Sequence, residues 1–163
     1  MNFLERLWRR ITFDERRRRV RLTVPHPRLG NMQFFGRRGI RDDVVSGYWQ
    51  LTPPGFTRHL TVIFPTPGGT LHDDDLARLE AILADLDGLF ARIRPHILDE
   101  YAHWVGEPLP SDWRDAFRLE SIDLPDMEMG EDQWVVTYWC QGAQHSFQIE
   151  LHGNEVTYVS VEG

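Results

Sequence analysis

The last third of the chain reads as three strands: QWVVTYWC (Gln133–Cys140), SFQIEL (Ser146–Leu151) and EVTYVSV (Glu155–Val161). In the second, Phe147, Ile149 and Leu151 alternate with Ser146, Gln148 and Glu150. That is the period of a strand with one dry and one wet face. The first and third are dominated by β-branched and aromatic residues, which suit a pleated, half-buried surface. Gly153-Asn154 between the last two is a two-residue hairpin signal. An antiparallel meander is predicted here.

Upstream, the pattern changes period. Apolar residues recur at 76, 79, 83, 86, 90, 93 and 97, and Tyr101 and Trp104 continue the series. Steps of three and four residues predict helix. Ile82, Leu89 and Leu98 widen the stripe, as for a helix laid on a sheet rather than a coiled-coil seam. Thr70 or Asp73 is the expected N-cap, and Asp73-Asp74-Asp75 puts negative charge at the positive end of the helix. One straight helix over 73–104 would be roughly 48 Å long at 1.5 Å per residue. A domain of this size is roughly 40 Å across. Pro95 clashes with a helical carbonyl at Ala91 and Gly88 weakens the middle, so a break is predicted near 93–95.

Before the helices stand four shorter strand candidates: Val20–Val24, Met32–Phe35, Gly47–Leu51 and Arg58–Phe64. Pro25-His26-Pro27, Pro53-Pro54-Gly55 and Pro65-Thr66-Pro67-Gly68-Gly69 punctuate them. Such short spacing predicts antiparallel neighbours, since a parallel crossover needs a dozen or more residues. Phe117–Leu124 is a further strand candidate. The whole reads as α+β: a largely antiparallel sheet with a broken central helical segment, about 73–104, packed on one face. Residues 20–163 form the domain, and residues 1–19 form a basic amphipathic N-terminal segment, in which Phe3, Leu4, Leu7, Trp8 and Ile11 make one apolar stripe.

A chain of 163 residues that is 41% hydrophobic can fill one core, which excludes a wholly disordered protein. No apolar run approaches the roughly 20 residues of a membrane-spanning helix. Arg9-Arg10 lacks the apolar stretch of an export signal behind it. A single cysteine, Cys140, excludes an internal disulfide and fits a reducing, cytoplasmic setting. The net charge of −7 hides a polarity. Residues 1–41 carry 12 arginines and three acids, hence +9, and residues 42–163 carry six arginines and 22 acids, hence −16. All 18 basic residues are arginine, which reads as coding composition and lowers the weight of any one arginine run.

No phosphate-binding loop, dinucleotide fingerprint, nucleophile elbow or paired-cysteine zinc spacing occurs, and no cofactor is expected. Three surfaces remain as candidates. The acidic stretch Asp123, Asp126, Met127, Glu128, Met129, Glu131 and Asp132 sets adaptable methionines among carboxylates, which suits a basic protein partner. Arg16, Arg17, Arg18 and Arg19 suit an anionic partner, either nucleic acid or an anionic membrane surface. Phe34 and Phe35 nearby read as strand core rather than as stacking platforms. His96, Glu100 and His103 fall at i, i+4 and i+7 of one helix face, a donor set for zinc or iron in a small metal-dependent enzyme.

The segments His26-Pro27-Arg28-Leu29-Gly30 and Gly47-Tyr48-Trp49 carry a resemblance together with the C-terminal pattern. That pattern runs Trp134-x-Val136-x-Tyr138, then His145-x-Phe147-x-Ile149, then Val156 to Gly163. The chain resembles small uncharacterised bacterial α+β domains, some of which occur beside toxin–immunity loci. The resemblance spans most of residues 20–163 and implies a fold rather than a set of catalytic residues. The reading that follows is a non-enzymatic protein-binding module, immunity-like or accessory.

Overall fold

The structure is a computed structural model, and it describes residues 19–38, 45–64, 70–125 and 132–163, with only the backbone of 45 and 46. Four strands come first: β1 (Arg19–His26), β2 (Gly30–Arg38), β3 (Val45–Leu51) and β4 (Leu60–Ile63). Two helices follow, α1 (Asp73–Ala84) and α2 (Leu86–Val105), then a short 3-10 turn at Trp113–Asp115. Four more strands complete the chain: β5 (Phe117–Asp123), β6 (Gln133–Cys140), β7 (His145–His152) and β8 (Glu155–Glu162).

All eight strands form one open sheet in sequence order, β1 to β8. Every neighbouring pair is antiparallel except β4 and β5, which run parallel through Thr61↔Ser121, Val62↔Ile122 and Ile63↔Asp123. The parallel pair falls where the chain has its one long helical crossover, as the geometry of parallel strands demands. Two antiparallel four-stranded halves are thus joined edge to edge, and the architecture is α+β.

Strand alternation sorts the residues into two sets. Met32, Phe34, Trp49, Leu51, Leu60 and Val62 in the first half are buried, as are Phe117, Ile122, Val136, Tyr138, Phe147 and Ile149 in the second. Leu89, Phe90, Ile93, Ile97 and Tyr101 of α2 are buried in the same core. Phe90 stands at an aromatic junction, its ring 5.1 Å from Trp113, 5.7 Å from Phe117 and 5.5 Å from Tyr138. Burial lifts the Tyr138 phenol far above its ordinary range. Gly47 is required where β3 meets β2, because a Cβ there would lie 2.2 Å from the Phe35 carbonyl oxygen.

Three sequence expectations are corrected. The helical break lies at Asp85, not near 93–95. Asp85 leaves helical geometry with φ −130° and ψ 50°, and its carboxylate accepts from the Gly88 amide at 3.0 Å, so it caps α2. Pro95 is inside α2 on its exposed side, and Ala91, one turn earlier, is exposed as well. The N-cap of α1 is His72, without a side-chain cap bond, rather than Thr70 or Asp73. Leu98 and Trp104 stand outside the apolar stripe of α2, each 42% exposed, and Val105 rather than Trp104 continues the stripe beyond Tyr101.

Candidate binding face

The residues that alternate with the core set make the outer face of the sheet. One row crosses all eight strands in register: Thr23, Gln33, Gln50, Thr61, Ser121, Thr137, Gln148 and Ser160. Every member is a hydroxyl or an amide, and none is charged. At about 4.8 Å per strand, the row is roughly 34 Å long. Thr23 and Gln33 are exposed and the other six are half-buried, as on a face open to water. Gln148 donates to Glu162 Oε2 at 2.9 Å.

The adjacent row is strongly polarised. On β1–β3 it carries Arg21, Phe35 and Tyr48, and on β5–β8 it carries Asp123, Val135, Glu150 and Tyr158. Phe35 and Tyr48 stack with centroids 5.7 Å apart, and the Arg21 guanidinium lies 5.3 Å from the Phe35 ring. Arg19 and Arg37 oppose each other one step along the strands. A cleft of about 380 Å³ is bordered by Arg19, Arg21, Phe35, Arg37 and Tyr48, where Gly36 and Gly47 contribute no side chain.

At the parallel pair in the middle of the sheet, Arg58, His59, Thr61, Arg118, Glu120 and Ser121 line a depression of about 470 Å³. Thr52 Oγ1 and His59 Nδ1 are hydrogen-bonded at 2.8 Å, which fixes the imidazole. Glu120 sits at a register shift between Leu119 and Ser121, accepts from Arg118 Nη2 at 2.6 Å and faces Ser146 Oγ. These groups make a polar, hydrogen-bonding floor.

The sequence candidates are dispersed. Asp123 ends β5 half-buried, and burial raises its carboxyl above the ordinary range. Asp132 meets Arg78 Nη2 at 3.2 Å, and its backbone carbonyl accepts from the Gly153 amide at 2.9 Å. Asp126, Met127, Glu128, Met129 and Glu131 lie outside the described residues, as do Arg16, Arg17 and Arg18 and the amphipathic stripe. Arg19 belongs to β1 rather than to a separate arm. His96, Glu100 and His103 are all exposed along α2, and no three His, Cys, Asp or Glu residues among those described are grouped to hold a metal ion. Cys140 is a buried core residue, as its strand position implies.

Other residues took roles that the sequence reading passed over. His26 organises the β1–β2 turn, its Nδ1 accepting from the Leu29 amide at 3.2 Å. That use of the lone pair makes it an acceptor, so the Glu80 carboxylate 3.7 Å away is held by the Arg28 guanidinium instead. His145 is half-buried, with its ring 4.5 Å from Trp104. Phe35 faces outward while Phe34 is core. The signal for that was present, because consecutive strand residues point to opposite faces.

No helix among the described residues is long and apolar enough to cross a membrane. No protein-family model, no curated protein and no solved structure matches this chain.

Proposed function

We propose that this protein is a non-enzymatic binding module that docks a partner protein on the outer face of its sheet, as an immunity-like or accessory factor. The observation that carries the reading is the uncharged row from Thr23 to Ser160, flanked by apolar groups in the open. Tyr48 and Ile63 are each 38% exposed and Tyr158 is 58% exposed, so anchors for a partner stand beside hydrogen-bonding side chains. In this reading α1 and α2 are the cover of the inner face, in line with Phe90 and Tyr101 against Phe117, and the outer face is the working surface. Asp132 is engaged by Arg78, which favours the sheet face over the acidic stretch as the principal contact.

The test is affinity capture from the source cell with surface variants. Gln50→Arg and Thr137→Arg place bulky charge in the uncharged row, while Glu100→Arg on exposed α2 is the control. A protein retained by the wild type and the control, but lost by both row variants, supports the reading. Identical retention by all four contradicts it. The immunity-like form also predicts a gene for a secreted toxin next to this one, and a purely metabolic neighbourhood counts against that form.

A further inference from the structure

Across residues 19–38 and 45–64 there are six arginines (Arg19, Arg21, Arg28, Arg37, Arg38 and Arg58) and no Asp or Glu. The other half of the sheet, residues 117–125 and 132–163, has Arg118 alone against Glu120, Asp123, Asp132, Glu150, Glu155 and Glu162. The polarity of the chain is thus a division of one sheet. β3 and β5, the nearest strand with acids, are two strand spacings apart, roughly 10 Å, just beyond the Debye length of about 8 Å at physiological salt. Residues 19–64 as a whole carry seven arginines against Asp42 and Asp43, so an anion at β1–β3 meets a net positive region rather than the overall −7.

We propose that the outer face of β1–β3 binds single-stranded nucleic acid, with Tyr48 and Phe35 stacking bases and Arg19, Arg21 and Arg37 holding phosphates. This site shares Tyr48 with the docking face proposed above but does not rest on that reading, since oligonucleotide binding is read on the protein alone. Two near-parallel rings beside guanidinium groups on an open sheet supply the two elements that sequence-tolerant single-strand binding uses: a stacking platform and a cationic track. Arg19 and Arg37 are directly opposed across β1 and β2, and both border the cleft beside Phe35 and Tyr48. An acidic peptide would use the arginines but offers the rings no planar group. A duplex keeps its base faces inside its own stack.

The test is fluorescence anisotropy of the full chain with a labelled ten-residue oligo(dT) at low salt. Binding is expected to fall with salt with a log–log slope of about −2, from three arginines at about 0.7 each. Tyr48→Ala should weaken binding about tenfold while Tyr48→Phe retains it. Arg21→Gln, at an exposed position, should reduce the slope by about 0.7 and gives a second route should Tyr48→Ala fail to fold. The proposal is overturned by absence of binding at about 50 mM salt. It is equally overturned if both tyrosine variants bind as the wild type does, or if a poly-glutamate peptide of equal charge competes as well as unlabelled oligo(dT).

Discussion

Phe35 and Tyr48 stand opposite each other on neighbouring strands, rings 5.7 Å apart and within 22° of parallel, on the face of the sheet that does not hold the core. Their neighbours Phe34 and Trp49 are paired across the same strands on the other side, rings 5.3 Å apart and tilted by 45°, and are almost completely buried. One two-residue step thus supplies both a core contact and a surface platform. The two aromatic pairs predict opposite responses to truncation. Phe34→Ala should destabilise the fold by about 3–5 kcal/mol in urea titration, and Tyr48→Ala by less than about 1 kcal/mol.

Phe90 ties α2 to the 3-10 turn and to β5 and β6 through three ring contacts. Phe90→Ala is expected to cost about 3–5 kcal/mol, read by chemical denaturation with tryptophan fluorescence. Phe90→Leu should lose less, since it keeps most of the volume.

The position of the helical break is testable by two substitutions. Asp85→Ala removes the cap of α2 and should cost about 1 kcal/mol. Pro95→Ala restores an amide donor on an exposed side of a continuous helix and should leave stability unchanged or raise it by up to about 1 kcal/mol, measured by thermal unfolding.

Much of the fold was legible because strand and helix periods differ. The meander over β6–β8 follows from the alternation of Ser146–Leu151 and from Gly153-Asn154, and the structure has those strands and that hairpin. Pro95 misled because a proline's effect depends on which side of the helix it occupies, and side is a tertiary property. Asp85 was missed as a cap because it interrupts a continuous apolar stripe instead of preceding one. The candidate face was hardly legible. The uncharged row exists only in the register that brings Thr61 beside Ser121 across the crossover, and those two residues are 60 apart in sequence.

Two carboxylates give opposite pH signatures. Asp87 accepts from Arg114 Nη1 at 2.7 Å and from Trp113 Nε1 at 2.9 Å, and these bonds, the arginine's first, hold its carboxyl below the ordinary range. Its folded-state value lies below the unfolded one, so its contribution is complete above about pH 4 and is lost as pH falls through the folded value. Asp123 is shifted upward by burial, so its folded value lies above the unfolded one. Its ionised form opposes folding, and that cost grows as pH rises through the folded value. Asp123→Asn should therefore raise the melting temperature at pH 7 and have no effect well below pH 4, whereas Asp87→Asn should lower it at pH 7 only.

The most direct measurement of the account is tyrosine nitration with mass-spectrometric mapping, in the free protein and with the captured partner bound. The chain has four tyrosines: Tyr48 and Tyr158 are exposed on the outer face, and Tyr101 and Tyr138 are buried. The predicted result is modification of Tyr48 and Tyr158 alone in the free protein, with protection of both in the complex. Nitration of Tyr101 or Tyr138 in the folded chain, or full reactivity of Tyr48 and Tyr158 in a complex that stays intact, would contradict the assignment of the outer face as the working surface.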